Sequence, residues 1–237
     1  MFNFIKKLLG AGARSDDETL NEQIQDILPA GLIQLAVAGE NCDSIAGASG
    51  LFGLEHTNPV PVNGIKGEIK YINRLLCPCG KYLMAHRLGS IKAPGSEGAV
   101  DVYETVCSEL AHWDIMYFHF YHPRRSLMVP KNYSRDAFHS QFSKTIIGMT
   151  TNTACRNFPA GMGQIVTEML GPTFGASVMK KIGYKTSQPF KRPAAHIEKI
   201  MDVIQTGLFE GHVSGDVLNC EAEKLMAVRL RNEEEQK

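Results

Sequence analysis

The clearest strand pattern in this chain is VDVYETVC, at residues 100–107. Valine recurs at every second or fourth position, and the residues between the valines are mostly polar or aromatic. Successive side chains of a strand point to opposite faces of a sheet, so this alternation is typical of a β-strand. β-Branched and aromatic residues are also frequent in strands. We therefore predict that residues 100–107 form part of a sheet.

Three neighbouring segments are predicted to complete that sheet. Residues 68–76 and 82–88 flank the turn CPCG at 77–80 and have the composition of strands. Residues 113–121, WDIMYFHFY, are apolar and aromatic on both faces, as expected for a strand that is covered on both sides. Because strands that are adjacent in sequence usually pair, we predict a four-stranded antiparallel meander.

Helices are predicted on both sides of this meander. Ser15 and Glu18 form a capping-box pattern ahead of an apolar stripe that begins at Leu20. Residues 194–209 follow Pro193 and have an apolar stripe at helical spacing. The predicted fold class is α+β, with the N-terminal and C-terminal helices packed on the sheet.

The predicted domain organisation is a single domain at residues 15–230, with an amphipathic segment at 1–14 and a polar tail at 231–237. Residues 2–9 could contact a membrane surface as a short amphipathic helix, or dock on the domain or fray. The sequence has no apolar run of the length that a transmembrane helix needs. It also lacks a good signal peptide, and its six cysteines are too sparse for a disulfide framework, so we expect a cytoplasmic protein.

Charge is unevenly distributed along the chain, although the formal net charge is zero. Residues 1–121 hold 9 Lys/Arg and 14 Asp/Glu, which gives a net charge of −5. Residues 196–237 hold 5 Lys/Arg and 9 Asp/Glu, which gives a net charge of −4. Residues 122–195 have a balance of +9, from 11 Lys/Arg and 2 Asp/Glu. This asymmetry indicates either a phosphate-bearing or acidic partner, or pairing with the acidic parts of the same chain. The zero total argues against a general nucleic-acid binder.

One end of the predicted meander gathers histidines, arginines and an asparagine. The predicted ligand-binding set is Asn63, His86, Arg87, His122, Arg124 and Arg125. Arginine offers planar donors that match phosphate or carboxylate, and histidine can move protons near neutral pH. If the protein is an enzyme, His86 and His122 are the candidate acid–base residues. The alternative is that the arginines pair with acidic residues and the histidines pack in the core.

The other end of the meander gathers three cysteines and a histidine. This candidate metal set is Cys77, Cys79, Cys107 and His112. Three thiolates and an imidazole form a legitimate zinc set, but the C-x-C spacing is not one of the usual structural zinc pairs. The alternative is that all four are packing and turn residues.

Three classes of function remain open from the sequence. The preferred hypothesis is a non-enzymatic binding protein that holds a phosphate-bearing or acidic partner through the His/Arg edge and the basic segment 122–195. A small enzyme acting on a phosphate-containing substrate is the second hypothesis, although no nucleophile, base and orienting group stand together in sequence. A structural or assembly subunit is the third, and the oligomeric state is left open.

Overall fold

A computed structural model of the chain describes residues 39–92, 98–136, 146–148, 158–159, 171–182 and 192–205. The described strands are β1 (Val60–Pro61), β2 (Leu75–Leu76), β3 (Leu83–Lys92), β4 (Ala99–Cys107), β5 (Trp113–His119), β6 (Ser134–Arg135) and β7 (Ile146–Gly148). The described helices are α1 (Gly64–Ile72), α2 (Pro172–Ile182) and α3 (Ala194–Gln205). The predicted segment 1–14, the predicted helix after Ser15 and the tail 231–237 lie outside the described residues.

The described residues form an α+β fold around a mixed five-stranded sheet, with strand order β1-β5-β4-β3-β7. The central strands β3, β4 and β5 pair antiparallel in chain order, as the meander prediction expects. The two edges differ from that prediction, because β1 pairs with β5 in parallel and β7 pairs with β3 in parallel. The prediction of a purely antiparallel four-stranded sheet is therefore wrong at both edges of the sheet, where the pairing is parallel. Strands β2 and β6 form a separate two-stranded sheet.

The first strand predicted for the meander, residues 68–76, is instead mostly helix α1 followed by β2. The buried residues of α1 recur at helical spacing, and they are Gly64, Gly67, Glu68, Tyr71 and Ile72. Three of these are not hydrophobic, whereas the apolar Ile65 is 45% exposed, so the apolar pattern does not mark the buried face. Gly64 begins the helix with a φ of +70°, a conformation that glycine adopts without strain.

Strand β3 is longer than the predicted 82–88. It continues to Lys92 because a bulge between Arg87 and Gly89 shifts the register and lets the second half of the strand pair with β4. Residues 89–92, which follow the predicted strand, therefore belong to the sheet, and residues 93–97 lie outside the described residues.

Each face of the sheet packs against a helix. On one face, Tyr71 and Ile72 of α1 pack with Tyr103 and Phe118, and the Phe118 ring centroid lies 5.4 Å from that of Tyr103. On the other face, Ile200 and Val203 of α3 join a core of side chains from β3, β4 and β5. Strand β4 is buried along its whole length, as a strand covered on both sides must be. None of the helices in the described part of the chain has the length and apolarity needed to span a membrane.

Candidate metal centre

The first half of the candidate centre is a tight hairpin that precedes β3. An antiparallel bridge between Leu76 and Tyr82 closes this hairpin. Inside it, the Cys77 N–H donates to the Lys81 carbonyl at 2.9 Å, and the Gly80 N–H donates to the Cys77 carbonyl at 2.7 Å. Proline and glycine are the residues that such a turn favours, which explains why the CPCG stretch folds back here. The hairpin places Cys77 and Cys79 side by side.

The second half of the centre is the turn between β4 and β5. The Cys107 N–H donates to the His112 carbonyl at 3.1 Å, and the Leu110 N–H donates to the Cys107 carbonyl at 2.8 Å. A further hydrogen bond, from the Ser108 N–H to the Tyr82 carbonyl at 3.0 Å, ties this turn to the hairpin before β3. Two adjacent turns therefore contribute two candidate ligands each.

The four side chains of the predicted metal set lie together in the structure. One potential ligand atom from each of Cys77, Cys79, Cys107 and His112 falls within 4.8 Å of all the others. The Cys79 Sγ lies 3.8 Å from the Cys107 Sγ, which in turn lies 3.8 Å from the His112 Nδ1. Tetrahedral zinc with Zn–S bonds of about 2.3 Å holds its sulfurs about 3.8 Å apart, so the separation of the Cys79 and Cys107 sulfurs matches.

The Cys77 and Cys79 sulfurs are closer to each other, at 2.8 Å. Tetrahedral coordination requires them to separate by roughly 1 Å. Cys79 is exposed, whereas Cys77 and Cys107 are buried. An exposed side chain can change rotamer without repacking the core, so Cys79 can supply this movement.

The protein environment of the centre affects Cys77 in two opposing ways. Burial, and then the hydrogen bond with Cys79, raise the pKa of the Cys77 thiol to about 12. The Lys81 N–H donates to the Cys77 Sγ at 3.4 Å and favours the thiolate. A bound divalent cation deprotonates a coordinating thiol outright, so a metal would stabilise the Cys77 thiolate much more strongly than this amide does.

The predicted catalytic residue His86 lies in the core and not at the sheet edge. Its Nε2 is 2.6 Å from the Glu104 Oε2, and both side chains are fully buried. Arg192 binds the same carboxylate in bidentate fashion, from Nε to Oε1 at 2.6 Å and from Nη2 to Oε2 at 2.9 Å. His196 approaches Oε1 at 3.0 Å, and Phe158 packs on the His86 ring at a centroid distance of 4.4 Å.

We call these four residues the Glu104 cluster: Glu104, His86, Arg192 and His196. The cluster is a buried group of ion pairs and hydrogen bonds that joins the sheet to the segment that contains α3. Burial opposes ionisation of Glu104, but the Arg192 charge and the hydrogen bonds from Arg192, His196 and His86 together hold the pKa of Glu104 well below its ordinary value. An ionised carboxylate only accepts hydrogen bonds, so both histidines donate to it from Nε2. The cluster anchors α3 to β4.

Arg87 lies on the opposite face of β3 from His86 and is bound within the protein. Its guanidinium makes two 2.8 Å contacts with the Asp101 carboxylate, and the Ser90 hydroxyl donates to the same carboxylate at 2.6 Å. Glu68 of α1 lies beside them and accepts a 2.7 Å hydrogen bond from the Tyr103 hydroxyl. Burial, and then the Asp101 charge, raise the pKa of Glu68 well above its ordinary value.

The remaining members of the predicted edge lie around the end of β5. The His122 Nε2 is 2.8 Å from the His119 Nδ1, and the His122 Nδ1 donates to the Glu40 carbonyl at 2.8 Å. Burial lowers the pKa of His122 despite the opposing effect of Glu40. Asn63 forms an antiparallel bridge with Tyr121 nearby.

Arg124 pairs with an acidic residue of the same chain. Its Nη1 lies 2.6 Å from the Asp43 carboxylate. Arg125 is partly buried, and its carbonyl accepts a 3.1 Å hydrogen bond from Arg124. The structure therefore disperses the predicted His/Arg set: His86 and Arg87 lie on opposite faces of the sheet, and the others surround the end of β5.

Sequence reasoning did not single out Glu104, Asp101, Glu68, Arg192 or His196. A signal existed for Glu104, because it falls on the same face of the 100–107 pattern as three valines. A glutamate in register with core valines indicates a buried carboxylate, and a buried carboxylate requires a partner. The partners Arg192 and His196 lie about ninety residues further along the chain, so the sequence offered no spacing by which to find them.

No protein-family model, curated protein or solved structure matches this chain. The candidate function therefore rests on the chemistry of the side chains that the fold brings together.

Proposed function

We propose that this protein binds one Zn²⁺ ion through Cys77, Cys79, Cys107 and His112. The observation that supports this proposal is the convergence of all four potential ligand atoms within 4.8 Å of one another. Three thiolates and one imidazole are a donor set that zinc accepts at structural sites. Soft thiolate ligands also favour zinc over magnesium or calcium, which prefer oxygen ligands.

The proposed role of the ion is structural. Four protein ligands complete a tetrahedral shell and leave no position for a substrate or a reactive water. The ion would join the hairpin 76–82 to the β4–β5 turn, which the described backbone connects by the hydrogen bond from Ser108 to Tyr82. The four described cysteines are free thiols, so Cys77, Cys79 and Cys107 are available as ligands. The cytoplasmic location stays a prediction.

The test is metal binding by the reduced, chelator-free protein. We expect one equivalent of Zn²⁺ per chain by native mass spectrometry, and an increase in the thermal midpoint that grows with free Zn²⁺, because an ion that binds only the folded state stabilises it. Substitution with Co²⁺ should give the sulfur-to-metal charge-transfer absorption of a thiolate site. A protein that stays metal-free, with an unchanged midpoint at saturating Zn²⁺, would refute the proposal.

Two cysteine variants separate this site from non-specific thiol binding. Cys79→Ser removes the exposed ligand with little disturbance of the core, and we expect the Zn²⁺ affinity to fall by at least about tenfold, because even changes outside the ligand shell commonly cost 10- to 100-fold. Cys42→Ser is the matched control, since the Cys42 Sγ lies near His122 and outside the metal set. It should bind Zn²⁺ as the wild type does.

A phosphate-bearing or acidic partner at the His/Arg edge stays a prediction. The support for it is the positive balance of residues 122–195 and the partial exposure of Arg124, whose side chain is 23% accessible. The described contacts favour this partner site less than the zinc site, because Arg87 already pairs with Asp101 and Arg124 already pairs with Asp43. A loss of phosphopeptide or polyanion binding in Arg124→Ala would support it.

A further inference from the structure

The proposed zinc ligands differ sharply in exposure and in mutual distance. Cys79 is exposed, while Cys77 and Cys107 have 1% and 0% of their surface accessible. The Cys79 sulfur lies 2.8 Å from that of Cys77 and 3.8 Å from that of Cys107. A reagent in solvent therefore meets Cys79 first, and the nearest second thiol is Cys77.

The two cysteines are also held in place by the hairpin. They are separated only by Pro78, whose ring restricts the backbone at that position. Residues two apart span at most about 7 Å, which is within reach of the Cα separation found in disulfides. The Cys77 N–H to Lys81 carbonyl bond keeps the hairpin closed, so the sulfurs stay near each other without a metal.

We infer that Cys79 and Cys77 form a reversible oxidation site for hydroperoxides, and that this oxidation releases the metal. The inference rests on the proposed zinc site for the release step only. Cysteine thiolates that are both accessible and beside a second thiol are the ones that hydroperoxides oxidise to disulfides.

The reaction balances with the hydroperoxide as oxidant. The Cys79 thiolate attacks the terminal oxygen of the O–O bond, which forms a sulfenic acid and releases an alcohol, or water from hydrogen peroxide, after protonation. The Cys77 sulfur, which is a thiolate on zinc and loses its proton in this step when no metal is bound, then attacks the Cys79 sulfur. The S–S bond forms, and the hydroxide of the sulfenic acid leaves with a proton as water. The two sulfurs lose two electrons, the O–O bond gains them, and Zn²⁺ is left with two protein ligands.

Loss of two thiolates from the set of four ligands weakens the site enough to free the ion. Only Cys107 and His112 remain as donors, and both belong to the same turn. A disulfide across a single intervening residue closes a small ring, and strained disulfides are more easily reduced than relaxed ones. The oxidised site is therefore expected to return to the thiol form with a small-molecule thiol, and to rebind Zn²⁺.

In the test, the zinc-loaded 237-residue chain is treated with hydrogen peroxide, and both the bound metal and the state of the thiols are followed. A colorimetric zinc chelator should report release of one equivalent of Zn²⁺ per chain. Trypsin cuts after Arg74 and Lys81, so Cys77 and Cys79 lie in one peptide, 75–81, while Cys107 lies in another that ends at Arg124. A Cys77–Cys79 disulfide makes peptide 75–81 lighter by two hydrogen atoms, whereas a bond to Cys107 joins the two peptides.

The outcomes separate this inference from the proposed function. A protein that never takes up Zn²⁺ refutes the zinc site, and the peptide mass then tests the disulfide by itself. Two results would refute the oxidation site while leaving the zinc site intact. One is a protein that holds Zn²⁺ through the treatment, and the other is a peptide 75–81 that stays reduced or becomes joined to the peptide of Cys107.

Two cysteine variants test the disulfide without metal. Metal-free Cys107→Ser should still form the bond within peptide 75–81, and metal-free Cys79→Ser should not. Dithiothreitol should reverse the mass change and restore binding of added Zn²⁺.

Discussion

Glu104 shows how one buried charge can organise its surroundings. Its carboxylate has no solvent access and accepts hydrogen bonds from Arg192, His86 and His196. A buried ion pair adds little stability compared with a well-packed apolar contact, but removal of one partner leaves the other charge buried without compensation.

We therefore expect Glu104→Gln to destabilise the protein by about 3–5 kcal/mol. The glutamine amide keeps the size of the side chain, but its NH₂ group would face donors of the Glu104 cluster, and Arg192 would lose its counter-charge. Urea unfolding of wild type and variant at neutral pH measures this difference. The control is Glu109→Gln, whose carboxylate makes a 3.4 Å pair with Lys81 at a half-exposed position, and which should change stability by no more than about 0.5 kcal/mol. Equal effects of the two changes would contradict the prediction.

Glu68 should make stability fall as pH rises. Burial, and then the Asp101 charge, raise its pKa in the folded state above the ordinary value of 4.5. Between 4.5 and the folded-state pKa, the folded protein retains a proton that the unfolded chain has lost. The contribution of Glu68 to the free energy of unfolding is therefore complete below pH 4.5. It decreases by about 1.4 kcal/mol per pH unit between 4.5 and the folded-state pKa, and it is constant above that pKa.

Glu68→Gln should remove this pH dependence, because glutamine resembles the protonated acid. Its carbonyl can accept from the Tyr103 hydroxyl, as the Glu68 Oε2 does in the wild type, and its amide places no charge beside Asp101. The difference in free energy of unfolding between variant and wild type should grow in favour of the variant as pH rises above 4.5. Glu198→Gln, the same change at an exposed position of α3, is the control and should give no such trend. A pH-independent difference for Glu68→Gln would show that Glu68 ionises normally.

At the scale of elements, α1 packs closely because of its glycines. A Cβ atom built on Gly67 would lie 2.5 Å from the Asn63 Oδ1 and 3.2 Å from the Val62 Cβ. Both neighbours are buried, so neither can move without disturbing β1 and the turn before α1.

Gly67→Ala should consequently lower stability, although alanine favours helices over glycine by about 1 kcal/mol. We expect overpacking to exceed this gain and give a net loss of about 1–2 kcal/mol. The same measurement on Lys66→Ala, at the adjacent exposed position of α1, should show a change within about 0.5 kcal/mol. A Gly67→Ala protein more stable than wild type would mean that α1 can shift away from Asn63 at low cost.

The elements that could be predicted from sequence are those with a clear hydrophobic period or a clear strand composition. Strand β4 and helix α3 have such a period, and β5 has the aromatic composition of a strand that is covered on both faces. The structure has all three near the predicted bounds. Helix α1 was missed because its buried face consists of two glycines, a glutamate, a tyrosine and an isoleucine. The two-residue strand β1 and the three-residue strand β7 are too short for any periodicity, so the parallel edges of the sheet could not be foreseen.

At the scale of the whole molecule, the order of strands decided which predicted sites were brought together. The pairing of β3 with β4 and of β4 with β5 was predicted correctly, and it places the turns at 77–80 and 108–112 at the same end of the sheet. The metal set could therefore be proposed from sequence. The His/Arg set depended on which face each residue takes, and on contacts with Asp43, Asp101 and Glu104, which no local pattern reveals.

Strand β4 supplies one residue to each of three polar groups: Asp101 to the Arg87 contact, Glu104 to its own cluster and Cys107 to the metal centre. It is also paired on both sides and buried along all nine residues. During folding, none of these groups can assemble until residues 99–107 have docked between two neighbours. Exchange of the backbone amide hydrogens of this strand should therefore require opening of the whole sheet. The contacts of the three polar groups should form and break together, as one cooperative unit.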